Sequence, residues 1–307
     1  MQIETLKVFC DLVDTASFSR AASLNSITQS AVSQQVRSLE QKYHVSLIER
    51  GKKNFSVTQE GQAFLQASRE ILHTFENLGD RIRELQNVVT GELRIATIYS
   101  FGLHELPPLL ERYKDLYPDV KTIVDYRRSA QVYGDVLEGN ADVGLVAFPA
   151  KKTGLVIEDF RRDKLVLICH PDHPLAEHDK IALNALDGEK FISFEPDLPT
   201  RKVIDRLFIE RNVQVERAKE FDNVETVKRA VEIGSGVSIV PLTNVSDEVD
   251  RGTLVAVELD GIEMWRPLGV IYRRHRAIAP AQKQFVTLLK ETPWALDKTS
   301  LDSRSHE

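Results

Sequence analysis

The chain has 307 residues, with 40 Lys and Arg against 46 Asp and Glu and a formal net charge of −6. That length suits two or three domains at roughly 100–200 residues each, and the acidic balance excludes a globally basic nucleic-acid binder. No run approaches the ~18 apolar residues of a membrane span and the polar start lacks an apolar signal core, so a cytoplasmic protein with no membrane partner is expected, and two cysteines exclude a disulfide framework.

From the N-terminus, Ile3, Leu6, Phe9, Cys10 and Val13 recur at helical spacing and mark a core-facing helix to Ala16. Ser17 is placed to cap a second, short helix, SFSRAASLN, whose Ala21 and Ala22 let another helix cross closely. Asn25 and Ser26 form a turn, and Thr28 then caps a third helix. On it Val32, Val36, Leu39 and Tyr43 make one stripe, while Gln29, Ser30, Ser33, Gln34 and Arg37 make another face. Such a face fits a solvated surface as well as it fits base recognition. Gln to adenine and Arg to guanine are the geometrically natural pairs, read by the N-terminal part of a helix in the major groove. The next segment, VSLIERGKKNFSVT, reads as two strands around a turn with Arg50, Lys52 and Lys53 near its tip, suited to phosphate. Helix pair and basic hairpin together predict a winged helix-turn-helix. Through Val57 seven Lys and Arg face five Asp and Glu, so the head is +2 and the remainder −8; locally placed cations must supply the salt-dependent DNA affinity.

These residues resemble the LysR-type transcriptional regulators. The resemblance is carried by MQIETLKVFCDLVDTASFSRAA, SQQVRSLEQ, LIER and VTQEG, then by GELRIA, ELPPLL, GNADVGLV, HPDHPLA and EIGSGVSIVP, in the family's order over nearly the whole chain. Ala31 departs from the proline many members carry early in this helix, and alanine is a good helix former. The resemblance implies a double-stranded DNA partner, a small-molecule effector, contact with RNA polymerase, a homo-oligomer built as a dimer of dimers, no cofactor and no enzymatic activity. Some members sense oxidants through a cysteine pair in the effector region; Cys169 is alone there, and Cys10 reads as a packing residue.

Beyond Thr58 a long helix carries Phe64, Ile71, Phe75, Leu78, Ile82, Leu85 and Val89, the 3–4 alternation of a coiled-coil seam. Gly91 is expected to end it. The resemblance makes this the dimerising linker, with Ile71, Phe75, Leu78, Ile82 and Leu85 in the interface. Two heads would then read an interrupted inverted repeat.

From Glu92 strands and helices alternate, predicting α/β subdomains with mostly parallel sheets. Strands are expected at Leu93–Ile98, Val120–Tyr126, Val143–Ala147, Val166–His170, Phe191–Phe194, SIVPL and Leu268–Tyr272. Helices are expected at ELPPLLERYKDLY, Gln131–Glu138, Thr200–Arg211, Val224–Ile233 and Pro280–Leu289. The resemblance implies a two-lobed fold like periplasmic binding proteins. Expected divisions are 1–58 (head), 59–90 (linker), 91–295 (effector region, one lobe about 91–161 and 268–295, the other about 162–267) and a tail, 296–307.

An effector belongs where strand ends and helix N-termini converge. By position the candidates are Thr97, Tyr99, Ser100, Arg127, Ser129, Thr200, Arg201 and Asn223. Hydroxyls and free N–H groups at helix starts favour a small carboxylate; Tyr99 and Tyr126 fit an aromatic ligand equally. Thr200 and Asn223 would serve as caps whatever the function. His170, His173 and His178 lie in a Pro-rich turn without the about four ligands zinc needs, and EIGSGVSIVP lacks the strand–GxGxxG–helix order of a dinucleotide loop, so no metal or cofactor is expected. A two-lobed solute-binding protein or an enzyme with an appended helical domain are the alternatives. The first has no use for residues 1–90, and the second needs an acid/base or nucleophile set that the sequence does not display.

Overall fold

The computed structural model describes residues 2–49, 55–84, 89–274 and 278–294. By backbone contacts the chain forms two units, one of Met1–Gly91 with Ala277–Pro280, the other of the remainder.

In the first unit α1 (Ile3–Thr15), α2 (Phe18–Leu24), α3 (Gln29–Tyr43) and α4 (Gln59–Glu84) share one apolar core. Ser17 Oγ accepts the Arg20 N–H to start α2, and Thr28 Oγ1 accepts the Ala31 N–H at 3.2 Å to start α3. Phe9, Leu12, Ala21 and Val32 are fully buried between these helices. Tyr43, expected on the apolar stripe, sits at its rim, 43% exposed and edge-on to Phe64. Phe64 belongs to the head core rather than to a seam, its ring 5.2 Å from Phe9. The base of a two-stranded wing is present as the antiparallel Ile48–Val57 bridge and the Glu49 N–H to Ser56 carbonyl bond. Thr58 Oγ1 caps α4 on Gly61 N–H, and only glycine fits at 61, where a Cβ would lie 2.1 Å from the Leu47 carbonyl oxygen. Arg50, Lys52, Lys53, Leu85 and the tail 296–307 lie outside the described residues. Gly91 does not cap α4: it opens the next strand at φ +110°.

The second unit runs β1 (Gly91–Ile98), α5 (Tyr99–Gly102), α6 (Leu106–Leu116), β2 (Val120–Arg127), α7 (Ser129–Glu138), β3 (Val143–Ala147) and β4 (Leu155–Cys169). It continues through β5 (Lys180–Ile181), β6 (Lys190–Phe194), α8 (Pro199–Glu210), β7 (Glu216–Phe221), α9 (Val224–Glu232), β8 (Ser238–Pro241), α10 (Ser246–Asp250), β9 (Val255–Leu259), β10 (Trp265–Arg273) and α11 (Pro280–Glu291). The main sheet has the order β2-β1-β3-β10-β4-β9-β5, with β8 also on β4, and β6 pairs β7 separately. β1–β3, β5–β9 and β6–β7 pair in parallel, whereas β10 runs antiparallel to β3 and β4, and β4 to β8 and β9. The sheets are therefore mixed rather than mostly parallel.

The reason is that two strands cross between lobes in opposite directions. β4 pairs β10 through its first ten residues and β8 and β9 through its last five. It begins at Leu155, well before the expected Val166, because LVIEDFRRDK carries charges that read as loop. In the fold those charges are matched across the pair, Asp163 opposite Arg266. β10 likewise starts at Trp265.

Candidate functional site

The recognition face lies on α3. With Val32, Val36 and Leu39 in the core, Gln29, Ser30, Gln34 and Arg37 are exposed and Ser33 is half-buried. Ser30 shares a hydrogen bond with Thr28 Oγ1 at 2.9 Å, and Gln29 Oε1 accepts from Ser19 Oγ at 3.4 Å. Gln34 and Arg37 make no hydrogen bond or ion pair with any described residue, so their full donor sets face outward.

A cleft in the second unit is assembled from four strand-to-helix turns. β1 runs into α5 at Tyr99 and Ser100, and β2 into α7 at Arg127 to Ser129. β6 reaches α8 at Leu198 to Thr200, and β7 reaches α9 at Asp222 to Val224. Arg266 of β10 lines it as well. The cleft is partly open, with a cavity volume of about 70 Å³, room for on the order of five water-sized groups.

Of the eight expected cleft residues, Tyr99, Ser100, Arg127, Ser129, Thr200 and Asn223 line this cavity. The Ser129 and Thr200 hydroxyls have no partner among the described residues. Thr200 does not cap α8: Leu198 holds that position with no side-chain bond, which leaves the first-turn N–H groups of α8 available. Asn223 does cap α9, its Oδ1 accepting the Thr226 N–H at 2.9 Å. Tyr99 stacks 5.9 Å from Tyr126.

Thr97 and Arg201, expected in the cleft, do not line it. Strand alternation turns Thr97 to the opposite side of β1 from Ile98, where it is fully buried and its hydroxyl donates to the Ile98 carbonyl. Arg201 is turned inward and spent: Nε donates to Asp205 at 2.7 Å, and Nη1 to the Phe194 carbonyl and to Glu220. It ties α8, β6 and β7 together behind the cleft.

The charges at the cleft are paired. Arg127 Nε donates to Asp135 at 3.0 Å. Arg128 reaches Glu195 and Asp222, each at 2.9 Å, joining the β2–α7 turn to the β6 and β7 ends. Hydrogen bonds from Arg128 and Asn223 hold the Asp222 carboxyl below the usual range, and Asp222 and Glu195 in turn raise Arg128. Neither Asp222 nor Arg266 was expected from the sequence. The one available signal for Arg266 was a lone cation inside the otherwise apolar approach to a strand, MWRPLGVIY.

The histidines have structural work: His170 Nδ1 accepts the Asp172 N–H, and His173 Nδ1 the Leu175 N–H. Among the described residues no group of His, Cys, Asp and Glu is placed to hold a metal. Burial pushes the Cys10 thiol up to about 12 and Cys169 to about 11, which keeps both as unreactive packing residues.

Two family models match, one described as "Bacterial regulatory helix-turn-helix protein, lysR family" over residues 3–62 and one as "LysR substrate binding domain" over residues 86–294. The chain belongs to the LysR family. Similar relatives of this LysR-family protein include the HTH-type transcriptional activator CmpR of Synechocystis, 28% identical over 94% of each chain. The regulatory domain of CcmR from Synechocystis PCC6803, solved in complex with 2-PG, is 26% identical with a TM-score of 0.61, covering 66% of this chain and 96% of its own. CbnR, solved with its target DNA, superposes with a TM-score of 0.66 over 94% of this chain and 99% of its own at 22% identity, a likeness of fold. The LysR-family chain is thus a transcriptional regulator rather than an enzyme, with a helix-turn-helix head and an effector-binding region. No helix among its described residues is long and apolar enough to cross a membrane.

Proposed function

We propose that this regulator binds an interrupted inverted repeat as a dimer and is switched by a small anion, of carboxylate type, in the cleft. The observation that carries the effector class is the uncapped start of α8 beside the unpartnered Thr200 and Ser129 hydroxyls, in a cavity also lined by arginine. Free N–H groups and a helix dipole favour negative charge there. CcmR's complex with 2-PG supports a small-metabolite ligand in this domain type.

On the DNA side, Gln29, Ser30, Ser33, Gln34 and Arg37 read bases, and Arg50, Lys52 and Lys53 hold phosphates. Ile71, Phe75, Leu78 and Ile82 on α4 are 44–55% exposed at coiled-coil spacing, which supports pairing of two chains through this helix; by sequence spacing Leu85 is the next seam position. Residues 1–58 then act as reader, 59–90 as dimerising helix and 91–295 as two-lobed sensor. Two dimers join on the DNA, and ligand changes the bend between them so that RNA polymerase engages. Activity shifts only by the ligand's differential affinity for the two states.

A gel-shift with the DNA upstream of the protein's own gene tests the reader: retardation that weakens steeply with salt is expected, and none at low salt would sink it. A thermal-shift screen of carboxylates, aromatic ones included, tests the sensor through ligand-linked stabilisation.

A further inference from the structure

At the inner wall of the cleft Arg266 is placed where a ligand would meet it. Its side chain is 3% exposed, yet the residue lines the cavity. Nη1 donates to Ser100 Oγ at 2.8 Å and Nη2 to Asp163 Oδ2 at 2.5 Å, while the buried Nε–H has no acceptor. Asp163 spends Oδ2 on Nη2, and its Oδ1 makes no hydrogen bond to the Arg266 Nε–H. The other Asp163 oxygen lies 3.0 Å from Arg161, and Arg161 is itself bonded to Glu105. Two buried cations and two buried carboxylates thus balance in charge, while the Arg266 Nε–H, like Glu105 Oε1 and Asp163 Oδ1, is left without a hydrogen-bond partner. Buried polar groups are nearly always satisfied, and an orphan on a guanidinium calls for a specific partner.

We propose that Arg266 is the anion-recognising residue of the cleft. Its Nε–H takes one oxygen of a small oxyanion, a carboxylate or a phosphate, while the Ser100 and Thr200 hydroxyls take the others; this rests on the effector-controlled reading above. Ser100 is free to donate, because its oxygen already accepts from Arg266. A neutral analogue of the same shape offers the guanidinium only a weaker acceptor and is discriminated against. The position also couples binding to shape. Arg266 on β10 stands opposite Asp163 on β4, on the two strands that run between the lobes. An anion drawing on Arg266 therefore competes with Asp163 at that strand pair.

The test uses the full-length protein with acetate, inorganic phosphate and neutral acetamide as probes, at constant ionic strength. Tryptophan fluorescence reports locally, since Trp265 adjoins Arg266 in sequence, and the melting temperature reports binding independently. Saturable binding of acetate or phosphate, but not acetamide, is expected in the wild type, and which of the two binds identifies the anion's chemistry. Arg266→Lys should lose at least tenfold in affinity because the fixed fork is gone. Arg266→Gln with Asp163→Asn keeps the buried charges balanced and should lose binding altogether while retaining native circular dichroism. Arg162→Gln, a cation on the neighbouring strand whose guanidinium stacks 5.3 Å from Trp265, should bind as the wild type does. Anion binding that is unchanged in the Arg266→Lys and double variants overturns the assignment and leaves the anionic-effector reading standing. Absence of saturable anion binding in the wild type overturns both, and a gel-shift on the same preparation shows whether the DNA reader survives that result.

Discussion

Among the described residues the head packs Val8, Phe9, Leu12, Val32 and their neighbours around a single buried polar side chain, Ser68, whereas the α/β unit buries Glu105, Asp142, Asp163, Arg201, Lys228 and Arg266. The contrast accords with the proposed roles of the two units. A helix that reads DNA carries its polar groups outside an apolar core, where they remain hydrated until used. A cleft that recognises a small charged molecule must hold opposite charge inside, and buried charge is tolerated only when paired and hydrogen-bonded. The head can therefore be altered face by face. The effector unit is a set of coupled charges in which removing one partner strands another.

The largest effect is expected on the outside of the head. Phe75 is 55% exposed in the middle of the α4 stripe, so Phe75→Glu should leave the monomer folded while placing a charge in the seam. Light scattering should show monomers, and DNA affinity should fall about 10²–10⁴-fold as the second half-site contact ceases to be intramolecular. A Phe75→Glu protein that remains dimeric would remove the stripe from the interface.

Inside the α/β unit a charge can be tested by pH. Asp142 lies among Arg94, Arg273 and Glu92, and its Oδ2 accepts the Arg94 N–H at 3.0 Å; burial outweighs these and pushes it up to about 6. Its folded pKa thus exceeds the unfolded value of about 3.9. The stability it allows is full below pH 4, falls as pH rises and is lost above 6, a change on the order of 3 kcal/mol. Asp142→Asn keeps an acceptor for Arg94 and should abolish that slope. Urea unfolding at pH 4.5 and 7.5 reads it: the variant should gain on the wild type at the higher pH, and a constant difference refutes the buried-charge assignment.

The same contrast explains what the sequence made legible. Helices α1 to α4 and the recognition face follow from a 3.6-residue period with caps at Ser17 and Thr28, all local signals. The cleft turns were also visible, since Ser100, Ser129, Thr200 and Asn223 sit where strands meet helices. What stayed hidden depends on distant partners. The first part of β4 looked like a loop because the partners of Arg161 and Asp163, Glu105 and Arg266, come from elsewhere in the chain. Arg201 looked like a ligand group because Asp205 and Glu220 claim it only in the folded state.

On the recognition face the expected effects are smaller and differ in kind. Gln34 has no partner within the described head, so Gln34→Ala should leave stability unchanged and cost about 1–3 kcal/mol of discrimination at one base position. Arg50→Ala should weaken all sequences alike and reduce the salt slope by about one. Competition binding to operator variants at two salt concentrations separates these, and an identical, sequence-independent loss in both would show that α3 does not read bases.

The smallest effect sharpens the boundary between lining and support in the cleft. Thr200→Val keeps the shape of the side chain at the start of α8 and removes one hydroxyl that no described residue uses. Effector affinity should fall by about 0.5–1.5 kcal/mol, the worth of one hydrogen bond, with DNA binding intact by gel-shift. Thr97→Val is its counterpart on β1, where the hydroxyl is buried and bonded to the Ile98 carbonyl. That change should lower the melting temperature without altering effector affinity at temperatures where the protein is folded. Titration calorimetry on both variants decides between the two positions. If Thr97→Val loses affinity and Thr200→Val does not, the ligand lies behind β1, and the uncapped α8 terminus is surface rather than site.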